Sequence, residues 1–288
     1  MKKYCIAIAL FSLVACKTNS QESAIKEVFS LEKKHKEVSG LVFHNATDLL
    51  WLLQDKGNDP VLYAYSKEGN FERTLHIQNQ KNTDWEDLSQ DTKGNLYIGN
   101  FGNNDNDRKD LRILKIDQSS LNGKETNVSQ TTNFYYEDQK AFPPKKSQLM
   151  YDCEAFVTTD DAFYLFTKNR SKGFDGTFSI YKVPNKEGTF EAKKIATLKT
   201  CDQYRTCAIT GASLRPDGKE IALLTHDKVI LLPLDSNDLF QQKDLKIIPL
   251  HHNTQKEAIG YSSNTSLYIA DEKEKGADGG KIYSLDLP

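Results

Sequence analysis

The amino-acid sequence predicts an all-β protein, a β-propeller of five four-stranded blades. Three observations lead to this prediction. A strand–turn–strand unit recurs five times along the 288 residues, further short strands follow each unit, and no long stretch has the 3.6-residue period of an amphipathic helix. Many short strands separated by Gly, Pro, Asn and Asp turns are typical of sandwiches, barrels and propellers.

The N-terminal segment resembles a bacterial lipoprotein signal. Lys2 and Lys3 are positively charged, residues 6–14 form an apolar stretch too short to cross a bilayer, and Leu13-Val14-Ala15-Cys16 resembles a lipobox, in which cleavage precedes a lipid-modified cysteine. An ordinary cleaved signal peptide is the alternative. We expect attachment to the bacterial envelope, at the outer membrane, through lipid on Cys16. The predicted segments are a signal peptide (1–15), a lipid-anchored tether (16–24) and the propeller (25–288).

The second repeat contains the most regular copy of the strand–turn–strand unit. Residues 84–88 (Asp-Trp-Glu-Asp-Leu) begin the first strand, and residues 95–98 (Asn-Leu-Tyr-Ile) form the second after an Asp/Gly turn. The other copies pair residues 39–43 with 49–53, 154–157 with 162–166, 211–214 with 220–224, and 257–259 with 266–269. A third strand follows each pair, and a fourth follows the first four pairs.

The last repeat ends after its third strand, and residues 27–31 form an isolated strand before the first repeat. This strand can complete the last sheet, which is how a propeller closes its ring and removes the open edge. Six blades are the alternative if the long second repeat contains another one. Its extra length lies in residues 108–110 and 137–148, and a single helical turn is expected over 237–243.

Several short motifs follow one another in an order that resembles a family of secreted bacterial propeller proteins. They are residues 84–87 (Asp-Trp-Glu-Asp), 99–104 (Gly-Asn-Phe-Gly-Asn-Asn), 152–155, 167–168, 210–212 and 216–218. This family is distantly similar to phytase-like esterases and to gluconolactonases and paraoxonases, and the likeness spans residues 37–272. It implies a site at the channel mouth, where calcium-dependent members take Glu, Asn and Asp ligands from several blades. Asn100 and Asn103 stand where the family is expected to have Asp.

In a propeller, the starts of the innermost strands and the ends of the second strands lie on one face. The second strands end at 54–55, 100, 168, 226 and 271–272. Carboxylates gathered there would raise one another's pKa unless a cation offsets them. Ca²⁺ bound by Glu86, Glu154 and Glu257 is one solution, pairing with Lys168 and Arg170 is another, and hydrogen bonding to the neighbouring blade is a third. The predicted ligand-binding residues are Asp84, Glu86, Asn100, Asp152, Glu154, Lys168, Thr210, Glu257 and Asp271.

The predicted function is binding of a ligand or an envelope protein at this acidic face. A calcium-dependent hydrolase of phosphoesters or lactones, assisted by His226 or Lys168, is the first alternative, and a scaffold of an envelope complex is the second. The 38 basic and 40 acidic residues leave no basic excess, which argues against nucleic-acid binding. No hydrolase-elbow, zinc or phosphate-loop motif occurs, so the sequence leaves open whether the protein is an enzyme.

Two further local features are a run of Asn and Asp residues and a pair of cysteines. Residues 103–107 alternate Asn and Asp as calcium loops do, but they lack the Gly and the closing Glu of an EF-hand, so a solvated turn is favoured. Cys201 and Cys207 enclose a short loop and are favoured as a disulfide, which would leave Cys153 as a buried thiol. A bridge between Cys153 and Cys207 is the alternative.

Overall fold

The computed structural model describes residues 24–273 and 280–288. The predicted signal peptide (1–15), the lipidation site Cys16 and all of the tether except Ala24 lie outside the described residues. The described chain consists of strands joined by turns and a few short helical segments. The all-β prediction is confirmed. In this part of the chain, no helix combines the length and the apolar character that a membrane-spanning helix needs.

The strands are, in chain order, β1 (Lys26–Ser30), β2 (Val38–His44), β3 (Leu49–Gln54), β4 (Val61–Tyr65), β5 (Phe71–Ile77), β6 (Trp85–Gln90), β7 (Leu96–Asn100), β8 (Arg112–Ile116), β9 (Glu125–Thr126), β10 (Gln130–Tyr136), β11 (Asp152–Thr158), β12 (Ala162–Lys168), β13 (Thr177–Pro184), β14 (Gly188–Lys199), β15 (Gly211–Leu214), β16 (Glu220–Leu224), β17 (Lys228–Pro233), β18 (Lys246–Pro249), β19 (Lys256–Ser263), β20 (Ser266–Asp271) and β21 (Lys281–Asp286). The short helices are α1 (Tyr204–Cys207) and 3₁₀ turns at Gln118–Ser120, Lys146–Gln148 and Gln242–Asp244. The helical turn expected over 237–243 overlaps only the start of the last of these, and α1 was not predicted.

The predicted hairpins are the building units of the sheets. β2-β3-β4-β5 are antiparallel, with β9 added at the edge, and β15-β16-β17-β18 form a second antiparallel sheet. β6-β7-β8-β10 and β11-β12-β13-β14 are each antiparallel, and a parallel pairing of β10 with β14 joins them into one sheet. In the remaining sheet, β19-β20-β21 is completed by β1, which pairs with β21 as predicted for residues 27–31. Residues 108–110 and 137–148 contain no strand.

The first strands of the five hairpins lie around a common axis. β2 packs beside β6, β6 beside β11, β11 beside β15, β15 beside β19, and β19 beside β2. Gly40 permits the close approach of β2 to β6, because a Cβ there would lie 2.5 Å from the backbone nitrogen of Leu88. Side chains link neighbouring strands, as when Ser39 Oγ donates to the Trp85 carbonyl oxygen (2.9 Å). The five strands therefore surround a narrow axial channel.

Asp87 lies at the centre of this ring and is fully buried. Its carboxylate accepts hydrogen bonds from the backbone N–H of Leu88 (2.8 Å) and from that of Phe156 on β11 (3.0 Å). Burial raises the pKa of Asp87 well above its ordinary value, against these hydrogen bonds, which lower it. The carboxylate thus joins two inner strands where their backbones would otherwise leave donors unsatisfied.

The hydrophobic core lies between neighbouring sheets. Trp85 is fully buried in a cluster with Trp51 and Leu62 of the preceding sheet, as expected of a wedge between two blades. Burying an apolar side chain of this size stabilises the fold by roughly 1.5–3 kcal/mol. Within the described residues, Cys201 and Cys207 form a disulfide, the favoured pairing, and Cys153 is a buried free thiol.

Candidate functional site

An acidic cavity of 220 Å³ lies at the end of the channel where the inner strands begin. Its lining includes five carboxylates, those of Asp55, Glu86, Glu154, Glu257 and Glu272. The cations in the lining are Lys168 and Arg170, so five acids face two bases, an excess of three acids. Side chains that are far apart in the sequence therefore meet at one mouth, as the repeat pattern predicted for Glu86, Glu154 and Glu257.

A β-bulge directs each of these three acids toward the mouth. Pairing with the second strand shifts register between Trp85 and Asp87, between Cys153 and Ala155, and between Lys256 and Ala258. The skipped residue is Glu86, Glu154 or Glu257, and in β2 the residue skipped at the corresponding shift is Ser39, which also lines the cavity. A bulge leaves one residue outside the regular ladder and re-aims its side chain. The same device at equivalent positions explains why these residues converge.

Of the cavity acids, Glu86 has the fewest contacts that could offset its negative charge. It is 5% exposed, and within the described residues its carboxylate has no hydrogen bond and no ion pair. Burial, followed by the charges of Glu154 and Asp55, raises its pKa well above the ordinary value. Gly102 packs against it, because a Cβ at this position would lie 2.0 Å from Glu86 Oε1 and 2.6 Å from the carboxyl carbon of Asp84. The absence of a side chain at Gly102 makes room for both carboxyl groups.

Glu86 forms a three-carboxylate group with Asp55 and Asp84. One oxygen from each of these side chains lies within 4.8 Å of the others. Asp84 Oδ1 is buried and has no hydrogen-bond partner in the described chain, although the Lys56 ammonium lies 3.4 Å from it as an ion pair. Burial raises the pKa of Asp55 to about 7, with a further contribution from Asp84. The side-chain oxygen of Asn104, another lining residue, is buried and also lacks a hydrogen-bond partner among the described residues.

Glu154 is neutralised by protein cations. Its carboxylate lies 3.0 Å from Lys168 Nζ and 2.5 Å from Arg170 Nη2, and Arg170 also binds Asp152. Burial opposes ionisation of Glu154, but the two cations outweigh it and lower the pKa of this carboxyl group. The Arg170 guanidinium also donates to the hydroxyl of Tyr204 on α1 (3.1 Å). This side of the cavity is therefore a closed network of salt bridges.

Glu257 pairs with His226, whose Nε2 lies 3.2 Å from Glu257 Oε1. Both side chains are partly exposed, at 19% for His226 and 12% for Glu257. Glu272 lies nearby on the cavity wall, and burial together with the charge of Glu257 raises its pKa to about 8. The His226–Glu257 pair is an arrangement that can move a proton at the cavity edge.

Besides Asp84, four predicted site residues do not line the cavity and use their polar atoms for the fold: Asn100, Asp152, Thr210 and Asp271. Asp152 accepts a hydrogen bond from the Asn103 backbone N–H (2.7 Å). Asn100 accepts hydrogen bonds from the Asp84 backbone N–H and from Arg108, each at 3.3 Å. Thr210 Oγ1 donates to the Lys256 carbonyl oxygen (2.7 Å). Asp271 accepts a hydrogen bond from Tyr283 and forms an ion pair with Lys256. Strand ends leave backbone and charged groups to be satisfied, and these side chains satisfy them.

The predicted ligand set Glu86, Glu154 and Glu257 is not found together at ligand spacing: among the described residues, only Glu86 of the three is grouped with other acids, Asp55 and Asp84. The cause is local neutralisation, since Lys168 and Arg170 bind Glu154 and His226 binds Glu257. Residues 103–107 are not a fully solvated turn either. Asn103 and Asn106 are buried, and their side-chain oxygens accept hydrogen bonds from the backbone N–H groups of Arg108 (2.9 Å) and Tyr151 (2.8 Å).

The sequence-based set of site residues did not include Asp55, Glu272, Gly102 or Asn104. For two of them the signal was present, because Asp55 and Glu272 follow the ends of β3 and β20, positions predicted to face the mouth. Gly102 and Asn104 follow β7 in the Gly-Asn-Phe-Gly-Asn-Asn run. Their roles depend on which side chains approach them from other strands, and the sequence does not contain that information.

No protein-family model matches the sequence, and no curated protein is similar to it. Among solved structures, the chain is similar to the PQQ-bound aldose sugar dehydrogenase from Streptomyces coelicolor, with a TM-score of 0.53, 8% identity, and coverage of 92% of this chain and 98% of that one. Hydrazine synthase from Kuenenia stuttgartiensis is similar over 82% of this chain and 68% of that one, at 12% identity and a TM-score of 0.45. At such low identity the first match concerns architecture alone. The chain has a β-propeller fold.

Proposed function

We propose that the protein is a ligand-binding β-propeller whose site is the acidic cavity, centred on a divalent cation held by Asp55, Asp84 and Glu86. The observation that carries the proposal is Glu86, a carboxylate that is 5% exposed and has no protein partner among the described residues. An isolated buried carboxylate is costly, and native proteins pair such charges or use them to coordinate metals. A cation at this place would supply the missing partner.

The donor set favours a hard cation. Carboxylate and amide oxygens are the ligands that Ca²⁺ prefers, and the buried side-chain oxygen of Asn104 is available on the same cavity wall. PQQ, which the Streptomyces dehydrogenase binds, carries three carboxylates and does not fit this set. The cavity already has an excess of acids, and the bases in its lining, Lys168 and Arg170, are engaged by Glu154 and Asp152.

We propose a five-bladed arrangement held at the envelope by lipid on Cys16. The arrangement of four strands per blade is supported by the antiparallel groups that start at β2, β6, β11 and β15, and by the group of β19-β20-β21 with β1. The tether is supported by the resemblance of Leu13-Val14-Ala15-Cys16 to a lipobox. In this arrangement the cavity faces an aqueous compartment outside the cytoplasm.

Thermal unfolding tests the cation site. The protein is stripped with EDTA, dialysed, and melted alone, with Ca²⁺ and with Mg²⁺, beside Glu86→Gln and a control, Asp105→Asn, which changes an exposed acid outside the cavity lining. A cation at 100 times its Kd should stabilise the folded protein by about 2.7 kcal/mol. We expect a rise in Tm for the wild type and the control and none for Glu86→Gln. Equal shifts in all three proteins, or none in the wild type, would refute the proposal.

A hydrolase is the second candidate, favoured by the His226–Glu257 pair at the cavity edge. The imidazole would accept a proton from water bound near the cation, and Glu257 would orient the ring. Lys168 is unsuited to this role, because Glu154 raises its pKa despite burial and keeps it protonated. Hydrolysis of a phosphoester or a lactone that requires Ca²⁺ and is lost in His226→Gln would support the candidate. Activity that survives this substitution would exclude His226 as the base.

A further inference from the structure

We propose that Lys56 is a tethered counter-ion of the Asp55–Asp84–Glu86 group, and that a divalent cation must displace its ammonium in order to bind. This inference rests on the cation site proposed above and concerns its regulation. It makes Lys56 a residue that sets the affinity of the site, without being a ligand itself.

The position of Lys56 supports this role. It directly follows Asp55 at the end of β3, and its ammonium lies 3.4 Å from Asp84 Oδ1. Asp84 is a member of the three-carboxylate group, and its Oδ1 accepts no hydrogen bond from the described chain. Lys56 and a bound cation therefore compete for the same carboxylate, that of Asp84.

The ion pair between Lys56 and Asp84 can be replaced by a bound cation. The Lys56 side chain is 49% exposed, so the ammonium can move into water without disturbing packing. The counter-ions of Glu154 are different, because the side chain of Lys168 is 10% exposed and Arg170 is fixed by Asp152, Glu154 and Tyr204. Glu154 therefore has fixed cationic partners, whereas the Asp55–Asp84–Glu86 group has one that can be displaced.

The charges at the site determine how the Lys56 ammonium affects cation affinity. Once cation binding has ionised all three carboxyl groups, they and one ammonium have a net charge of −2, which one divalent cation would neutralise only if the ammonium stayed. Once Lys56 leaves Asp84, the cation meets the full charge of the three acids, but the nearby ammonium still repels it. A monovalent ion offers no more charge than Lys56 does. The tethered ammonium therefore lowers the affinity for all cations and favours divalent over monovalent ones.

Calorimetric titration of the folded protein with CaCl₂ at fixed ionic strength tests the inference. The proteins are wild type, Lys56→Gln, Lys56→Arg and a control, Lys67→Gln, which removes a comparably exposed lysine that pairs with Asp48 at 2.9 Å. Removing a unit charge a few ångströms from a divalent ion should tighten Lys56→Gln by about tenfold. Lys56→Arg and Lys67→Gln should bind as the wild type does.

A second measurement uses stability. In EDTA, Lys56→Gln should melt below the wild type, because the Asp84 carboxylate loses its counter-ion, and in saturating Ca²⁺ it should melt above it. If the wild type binds Ca²⁺ and Lys56→Gln binds with equal or lower affinity, the counter-ion role is wrong and the cation site stands. If neither protein binds Ca²⁺, the site and the exchange are both refuted.

Discussion

Replacing Glu86 by Gln should stabilise the metal-free protein, although it alters a buried residue at the centre of the candidate site. Most substitutions of buried polar residues are destabilising, since they remove a hydrogen bond or an ion pair. Glu86 has neither among the described residues, and Asp55 and Asp84 supply further negative charge beside it. The Gln side chain has nearly the same shape and no charge to bury.

The size of the effect is limited by protonation. Protonating an acid with an ordinary pKa of 4.5 at pH 7 costs about 3 kcal/mol, which is the upper limit of what the raised pKa of Glu86 can cost the folded protein. An amide left without a full set of partners costs about 1–2 kcal/mol of that gain. The net stabilisation should be about 1–2 kcal/mol, which corresponds to a rise in Tm of roughly 2–6 °C for a chain of this size.

The stability difference between Glu86→Gln and the wild type should change with pH in a definite direction. A carboxyl group with a raised pKa favours the folded state while it is protonated, so the wild type loses stability as pH rises from about 4.5 through the folded-state pKa. Glu86→Gln removes this loss, and its advantage should be small at pH 5 and larger at pH 8. Melts of both proteins in EDTA at the two pH values, with Glu187→Gln as a control at an exposed position, measure the difference. A variant that is less stable than the wild type at pH 8 would refute the reasoning.

Three further predictions concern the surroundings of the site. Gly102→Ala places a methyl group 2.0 Å from Glu86 Oε1, so the carboxylate must move, and Ca²⁺ affinity measured by calorimetry should fall by about tenfold or more. Asp87→Ala leaves two buried backbone N–H groups without an acceptor and should lower the free energy of unfolding by about 2–4 kcal/mol in urea. Replacing Cys201 and Cys207 by Ala opens a short loop and should lower it by about 2 kcal/mol.

Each of these has a matched control. Gly123→Ala tests whether any added methyl group at a crowded glycine weakens cation binding, since its nearest neighbour is a backbone oxygen 3.1 Å away and outside the cavity lining. Asp105→Asn alters an exposed acid and should leave stability unchanged. A reducing agent should destabilise the wild type but not the double Cys variant. Unchanged affinity in Gly102→Ala, or unchanged stability in Asp87→Ala, would contradict the roles assigned here.

The sequence was sufficient for the hairpins and their order. The Asp/Gly turn between β6 and β7 and the continuous apolar character of β3 and β12 specify local pairing, because turn chemistry and burial act over a few residues. The role of residues 27–31 also followed from local information, since a strand without a neighbour and a sheet lacking a strand imply each other. The parallel pairing of β10 with β14 was not predictable, for it joins two hairpin groups that the pattern treats as separate.

The sequence predicted where the acidic side chains converge better than it predicted which cations pair with them. Glu86, Glu154 and Glu257 occupy equivalent strand starts, so repeat symmetry was enough to bring them together. Which acid is neutralised depends on how far Arg170 and His226 reach across from other loops, and sequence spacing does not reveal this. The β-bulges that direct the three acids toward the mouth are likewise a property of the strand pairing, which the sequence pattern does not specify residue by residue.

The pairing of β1 with β21 brings the earliest and the latest strands of the described chain into one sheet. A ribosome releases residues 26–30 long before residues 281–286 exist, so the ring of sheets cannot close until β21 has been made. Contacts between such distant segments form late, because the intervening loop must first be ordered. Until then, the edge of β20 to which β21 pairs would stay without its neighbouring strand.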